Sequence, residues 1–268
     1  HISSAQSLTT SSPVSSIRGL FMWLETSLEK SFLASETDDG SEVTYWKDIN
    51  MQTLSNYYAL KPPTENVTYI KRSQNNSLPA IKFGKTDADI NTFLTVATNN
   101  DPLSISKAAI SSRDFTIFAV ISNDPETTSN QYSYLFMNGA WDSLQTAFSI
   151  TNQGALTFTA RNVFHAATVN STATYNNSQI LSLDYDRDNA VATIYLNGEQ
   201  IRQVNPTGGN GSDVGGSPFF YIGSSTRSKY YWMGQLSEFI YFGNHIKSGE
   251  REAVEEYLSQ KYKITLVK

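Results

Sequence analysis

The sequence predicts an all-β fold, a two-sheet antiparallel sandwich closed by one C-terminal helix. Three observations carry this. Short β-branched and aromatic runs recur from Phe115 onward between turn signals. An Asn197-Gly198 pair, the signature of a type I′ hairpin, separates two of them. Only Ser248 to Tyr262 shows helical periodicity. Alternating βαβ units would need many such helices, so a parallel sheet is excluded.

Taken in order, Gly19–Glu25 (GLFMWLE) is a near-continuous apolar run and reads as a strand buried on both faces. Val43–Trp46 and Ala80–Phe83 are shorter strands. Between them Asn50 to Asn76 is polar and broken by Pro62-Pro63, which predicts an irregular surface arm. The later strands are Phe115–Ile121, Ser133–Met137, Ala147–Ile150, Leu156–Ala160, Ile180–Tyr185, Val191–Leu196 and Phe219–Ile222. Their turns are Asn152-Gln153-Gly154, Asp186-Arg187-Asp188-Asn189 and Asn197-Gly198, so Ile180 to Ile201 forms a meander. Thr207–Pro218, with five glycines, is a flexible loop. Gly234–Phe242 is the last strand, and a turn at Gly243-Asn244 leads into the helix. Ser248 is placed to cap that helix, Glu250 and Glu252 complement its dipole, and Val254, Tyr257, Leu258 and Lys261 form its packing face.

A chain of 268 residues is long enough to bury a core without a staple, and Cys 0 removes disulfides, thiolate zinc sites and thiol nucleophiles. The net charge of −5 provides no basic field for phosphates, so neither nucleic acid nor an acidic membrane surface is an expected partner. No apolar stretch reaches the roughly twenty residues that span a bilayer.

The closing segment has a recognisable pattern: Gly234, Leu236, Ser237, Glu238, Phe239, Ile240 and Tyr241, then Ser248, Glu250, Arg251, Tyr257, Leu258, Lys261 and Tyr262. It resembles the end of the laminin-G-like, or concanavalin A-like, lectin/glucanase jelly rolls of bacterial surface proteins. Gly19–Glu25, Asp39-Gly40 with Val43 and Trp46-Lys47-Asp48, Pro79–Gly84 and Phe115–Ile121 resemble that family's earlier signatures, so the match runs from Gly19 to the C-terminus. The expected division is therefore a sandwich domain over 19–268 after an N-terminal segment, 1–18. Within that segment His1 reads as a tag remnant. Ile2–Leu8, followed by Thr9–Val14, resembles the last turns of a type IV pilin helix running into a linker. This second resemblance implies an apolar half-helix upstream and a pilin-like subunit, with other pilin subunits as partners.

The glucanase relatives use a Glu-x-Asp-x-x-Glu strand to hold a nucleophile and a proton donor on one face. No such run occurs; Glu36-Thr37-Asp38 and the Glu25/Glu29 pair are the nearest groupings. Glu238 matches a glutamate of non-enzymatic members and is expected to be a buried, hydrogen-bonded structural carboxylate. His1, His165 and His245 have no metal-ligand spacing, and no serine sits in a Gly-x-Ser-x-Gly elbow. The resemblance admits calcium at the sandwich rim, where Asp38-Asp39, Asp87 with Asp89, Asp184 with Asp186 and Asp188, and Asp213 could supply oxygens. Sugar rings stack on exposed aromatic faces, which makes Trp141, beside Asn138-Gly139 and Asp142, and the run Tyr230, Tyr231 and Trp232 the candidate ligand contacts. Trp23 and Trp46 are expected in the core.

The function expected from all this is a non-enzymatic adhesion or recognition module, extracellular on a bacterial surface, contacting a glycan or another surface. The alternatives are a glycan-degrading enzyme of the same fold and a purely structural filament subunit.

Overall fold

The computed structural model describes residues 12–50, 57–60, 67–73, 75–84, 94–98, 114–123, 132–138, 146–151, 156–160, 163–169, 177–186, 189, 191–204, 220–223 and 232–267. In chain order these hold a short helix α1 (Pro13–Ser16) and strands β1 (Leu20–Glu25), β2 (Tyr45–Lys47), β3 (Tyr57–Leu60), β4 (Val67–Ile70), β5 (Ala80–Phe83) and β6 (Leu94–Thr98). There follow β7 (Phe115–Asn123), β8 (Tyr132–Asn138), β9 (Thr146–Thr151), β10 (Leu156–Ala160), β11 (Val163–Val169) and β12 (Gln179–Asp186). The chain ends with β13 (Val191–Leu196), β14 (Glu199–Val204), β15 (Phe220–Ile222), β16 (Gly234–Phe242) and helix α2 (Ser248–Tyr262).

The strands form two eight-stranded antiparallel sheets. The first runs β14-β13-β12-β7-β16-β5-β4, and the second β11-β10-β9-β8-β15-β6-β3-β2. One side of β16 lies along β7 throughout; its other side is shared, β5 pairing with Gly234–Leu236 and β1 with Glu238 to Phe242. Strand 16 is thus covered on both edges, and it is buried on both faces as well. Leu236, Phe239 and Tyr241 join the core between the sheets, while Ile240 and Phe242 join a second core under α2. The same split explains the apolar runs of β1 and β7: Met22, Leu24, Ile117 and Ala119 face the other sheet, and Leu20, Trp23, Phe118 and Val120 face the helix. A register shift between Leu236 and Glu238 puts the extra residue, Ser237, into β16 and sets Glu238 on the helix side.

The β13–β14 turn has the predicted geometry, with φ of 50° at Asn197 and 84° at Gly198, as a type I′ turn requires. Two expectations are corrected. The stretch from Asn50 to Asn76 is not one irregular arm, because it contains β3 and β4; in β4 the buried positions Val67 and Tyr69 alternate with half-buried ones. Its prolines and asparagines masked a β-branched run that needed only a neighbour, β5, to pair with. Ser248 does not cap α2: the N-cap is Lys247, whose N–H donates to Glu250 Oε2 at 2.9 Å. Strands β6 and β11 were not foreseen, and Thr207–Pro218 lies outside the described residues. Val14 and Ile17 are buried in the core under α2, so the chain is packed onto the sandwich from Ser12. No helix among the described residues is long and apolar enough to cross a membrane.

Candidate functional site

Among the described residues a group of buried polar side chains converges under α2. The bulge at Ser237 turns Glu238 toward the helix, where its oxygens accept from Trp23 Nε1 (2.7 Å), Tyr262 OH (2.8 Å) and Lys261 Nζ (2.8 Å). Tyr257 OH lies 3.4 Å from the same carboxylate. Opposite Glu238 in register stands Glu25, which also binds the Lys261 ammonium and accepts from Ser27 Oγ. The lysine and Glu25 side chains are each 6% exposed and that of Glu238 is 0%. Burial raises the Glu238 carboxyl above its ordinary pKa against the pull of Lys261, and the charge of Glu25 raises it further. Burial and the same two carboxylates push the Tyr262 and Tyr257 hydroxyls well up. Glu238 is therefore the buried, hydrogen-bonded carboxylate that the family resemblance implied. The node locks the last turn of α2 to the first sheet, and two acids sealed around one ammonium offer a saccharide no approach.

Asp48, from the Trp46-Lys47-Asp48 signature, has an equally structural setting. Its Oδ1 accepts the Trp23 and Asn50 backbone N–H groups, both at 2.8 Å, which pins β1 to the following loop. Oδ2 is buried without a partner among the described residues, and desolvation pushes the carboxyl up to about 7. Trp46 lies in the core stacked on Phe32, and Trp23 is buried beneath α2, both as expected.

Of the aspartates considered for calcium, Asp184 faces the helix side, taking a hydrogen bond from Thr116 Oγ1 (2.7 Å) and pairing with His245 Nδ1 (2.7 Å). Burial raises its pKa against these partners. Asp186 instead turns back on its own loop and accepts from Asn189 N–H (3.0 Å) and Nδ2 (2.6 Å). Asp39 accepts from the Lys71 N–H at 2.8 Å, tying the Asp38-Asp39 loop to the end of β4. Among the described residues no three acidic or histidine groups gather as a metal site. Asp87, Asp89, Asp188 and Asp213 lie outside the described residues.

Trp232 is corrected as a ligand contact. It is 0% exposed and tilted against Phe83 at 5.5 Å between ring centroids, and its backbone N–H donates to the Gly223 carbonyl at 2.9 Å. Gly234 accommodates it, since a Cβ there would lie 2.6 Å from the indole. A large apolar ring at the mouth of a buried strand fills the sandwich end instead of facing solvent. Trp141, Tyr230 and Tyr231 lie outside the described residues.

The second sheet presents a different surface. Phe148, Ile150, Leu156, Phe220, Ile222 and Trp46 point into the core, so the alternate positions Ser149, Thr157, Tyr221, Tyr45 and Lys47 point away from it. Tyr134 is opposite Ser149, and Ser149 opposite Thr157, which aligns three hydroxyls across β8, β9 and β10. That row was legible only as polar residues alternating inside apolar strands. Tyr134, Ser149 and Thr157 are themselves buried, so what this outward set offers to solvent among the described residues is the half-buried Tyr45 and Tyr221 and the exposed Lys47, with no carboxylate.

A family model described as the concanavalin A-like lectin/glucanases superfamily matches residues 97–249, more than half of the chain. The chain belongs to that superfamily. A search of curated proteins returned no match. Among solved structures, this superfamily member is similar to the binding domain of botulinum neurotoxin serotype D, with 13% identity over 92% of this chain and 53% of that one and a TM-score of 0.59. It is also similar to the Trypanosoma rangeli sialidase in complex with the inhibitor DANA, 13% identical over 91% of this chain and 33% of that one, TM-score 0.54. The CBM40 module of Ruminococcus gnavus IT-sialidase bound to alpha2,3 sialyllactose aligns with 54% of this chain and 83% of its own at 20% identity, TM-score 0.42. The chain thus spans about half of the neurotoxin chain and a third of the trypanosomal one, and the likeness is one of fold.

Proposed function

We propose that this domain is a non-enzymatic recognition module that binds glycans through the outward face of its second sheet, displayed outside a bacterial cell on a pilus-like appendage. The observation that carries the reading is the make-up of that face: the half-buried Tyr45 and Tyr221, whose rings can stack on sugars, beside the exposed Lys47, with no carboxylate among the described residues. Glycoside hydrolysis needs two carboxyl groups flanking a bond that substrate can reach. Here the paired acids, Glu25 and Glu238, are enclosed beneath α2 with Lys261 between them. The superfamily embraces both lectins and glucanases, and this distribution of acids supports the first. Calcium at the rim belongs to the same proposal as an aid to binding.

A glycan array with and without calcium, run beside a reducing-sugar assay on the ligands that score, tests the reading. Binding without sugar release is the expected result. Release that survives repurification would establish an enzyme, and silence on the array in both conditions would leave a structural subunit. Labelling of intact cells with antibody to the domain checks its display.

A further inference from the structure

Three of the four non-glycine residues with positive φ among the described residues meet at one place. Asn76 (56°), Asn197 (50°) and Lys263 (56°) all line an open cleft of ≈ 470 Å³ between the last turn of α2, the start of β12 and the β13–β14 turn. Left-handed backbone is tolerable for asparagine and unfavourable for lysine, and Lys263 stands where a helix ordinarily ends in glycine. For a lysine such a conformation persists only where the surroundings over-determine it. The surroundings do so here. The Lys263 N–H donates to the Ser259 carbonyl. Asn197 is held by Ile180 and Val267 through backbone bonds of 2.8 Å, and Tyr262 in the floor is tied to Glu238 at 2.8 Å.

The walls are amides. Asn76, Asn177, Gln179 and Asn197 contribute four carboxamide side chains, and none of the described lining residues is acidic. Asn76 Nδ2 donates to the Lys261 carbonyl at 3.0 Å, which leaves its Oδ1 as an acceptor with no partner among the described residues. Asn197 Oδ1 accepts the Ile180 N–H at 2.8 Å, which leaves its Nδ2 as a donor. An acceptor and a donor lining one cleft, both neutral and each held through the other end of its amide, match the alternating donor and acceptor character of sugar hydroxyls. We propose that this cleft is a saccharide-binding site read by the carboxamides of Asn76 and Asn197. It is separate from the outward face of the second sheet, and the class of its ligand rests on the glycan reading given above.

The test uses the 268-residue chain, ¹⁵N-labelled and titrated with short free oligosaccharides of hexoses, N-acetylhexosamines and uronic acids. Side-chain amide signals of Asn76 and Asn197 are expected to move on binding. Asn76→Gly and Asn197→Gly keep the left-handed backbone while removing a carboxamide, and each is expected to weaken binding roughly three- to tenfold, the loss of one neutral hydrogen bond. Lys263→Gly removes no proposed ligand contact and is expected to leave binding unchanged while holding or raising the melting temperature, and every affinity is measured where the variant stays folded. Binding that shifts only second-sheet signals and ignores both asparagine variants overturns the cleft while the glycan reading stands. Failure of every oligosaccharide to bind overturns both.

Discussion

Glu25 and Glu238 stand directly opposite one another on neighbouring antiparallel strands, and a single ammonium, Lys261 Nζ, serves both. Like charges in that position repel. The lysine comes from the last turn of α2, so the helix supplies the counter-charge its own sheet lacks, and docking of the helix and pairing of β1 with β16 become one event.

Removing that counter-charge is expected to be severe. Lys261→Met leaves two buried carboxylates facing each other and should lower unfolding free energy by ~3–5 kcal/mol in urea titrations at pH 7. Adding Glu25→Gln and Glu238→Gln to the same chain should restore most of the loss. A single variant within about 1 kcal/mol of the parent would show that the node carries no such weight.

Asp48 makes a prediction about pH. Its folded-state carboxyl titrates at about 7 against an ordinary value of 3.8. Between those values the native state holds a proton that the unfolded chain has released, so its contribution to stability is complete below 3.8 and is lost as pH rises toward 7. The slope of one proton is ~1.4 kcal/mol per pH unit. Asp48→Asn keeps the acceptor for Trp23 and Asn50 and cannot ionise. Urea midpoints measured from pH 4 to pH 7 should therefore fall less with pH in the variant than in the parent, and parallel curves would refute the assignment.

Thr116 links three elements through one hydroxyl, donating to Asp184 on β12 and accepting the Ile246 N–H (3.2 Å) just before α2. Thr116→Val preserves shape and strands both partners, which is expected to lower stability by ~1–3 kcal/mol. Thermal melts compared with Thr116→Ser, which retains the hydroxyl, separate that effect from packing.

Trp232→Ala should behave as a core truncation. A loss of ~3–5 kcal/mol is expected in chemical unfolding. Glycan affinity of the variant, measured at a temperature where it stays folded, should match the parent; a selective loss of binding with little loss of stability would return Trp232 to the ligand surface.

Much of the fold was open to reading because each strand announces its environment locally. The runs of β1, β7, β12 and β16 are buried on both faces and mostly apolar because both faces of the first sheet are covered, and Asn197-Gly198 dictates its turn whatever surrounds it. Val67–Ile70 was obscured because a four-residue strand inside polar sequence depends on the partner it pairs with, here β5. Ser248 is a good capping residue in isolation, yet the chain enters α2 one residue earlier and Glu250 takes over the cap.

The sequence by itself determined an antiparallel sandwich with a terminal helix, a core of buried strands, and a closing segment whose Glu238 would be structural. The fold follows from periodicity, turn chemistry and local pattern, which act over a few residues, and the role of Glu238 is what the family resemblance implied. Only the tertiary structure decided that Glu238 meets Glu25 and Lys261, that Trp232 is sealed against Phe83, and that Asn76, Asn197 and Lys263 share one cleft. Those groups are separated by tens to hundreds of positions along the chain, and what brings them together is sheet register and helix docking, energies that belong to the whole fold and leave no trace in any short stretch of residues.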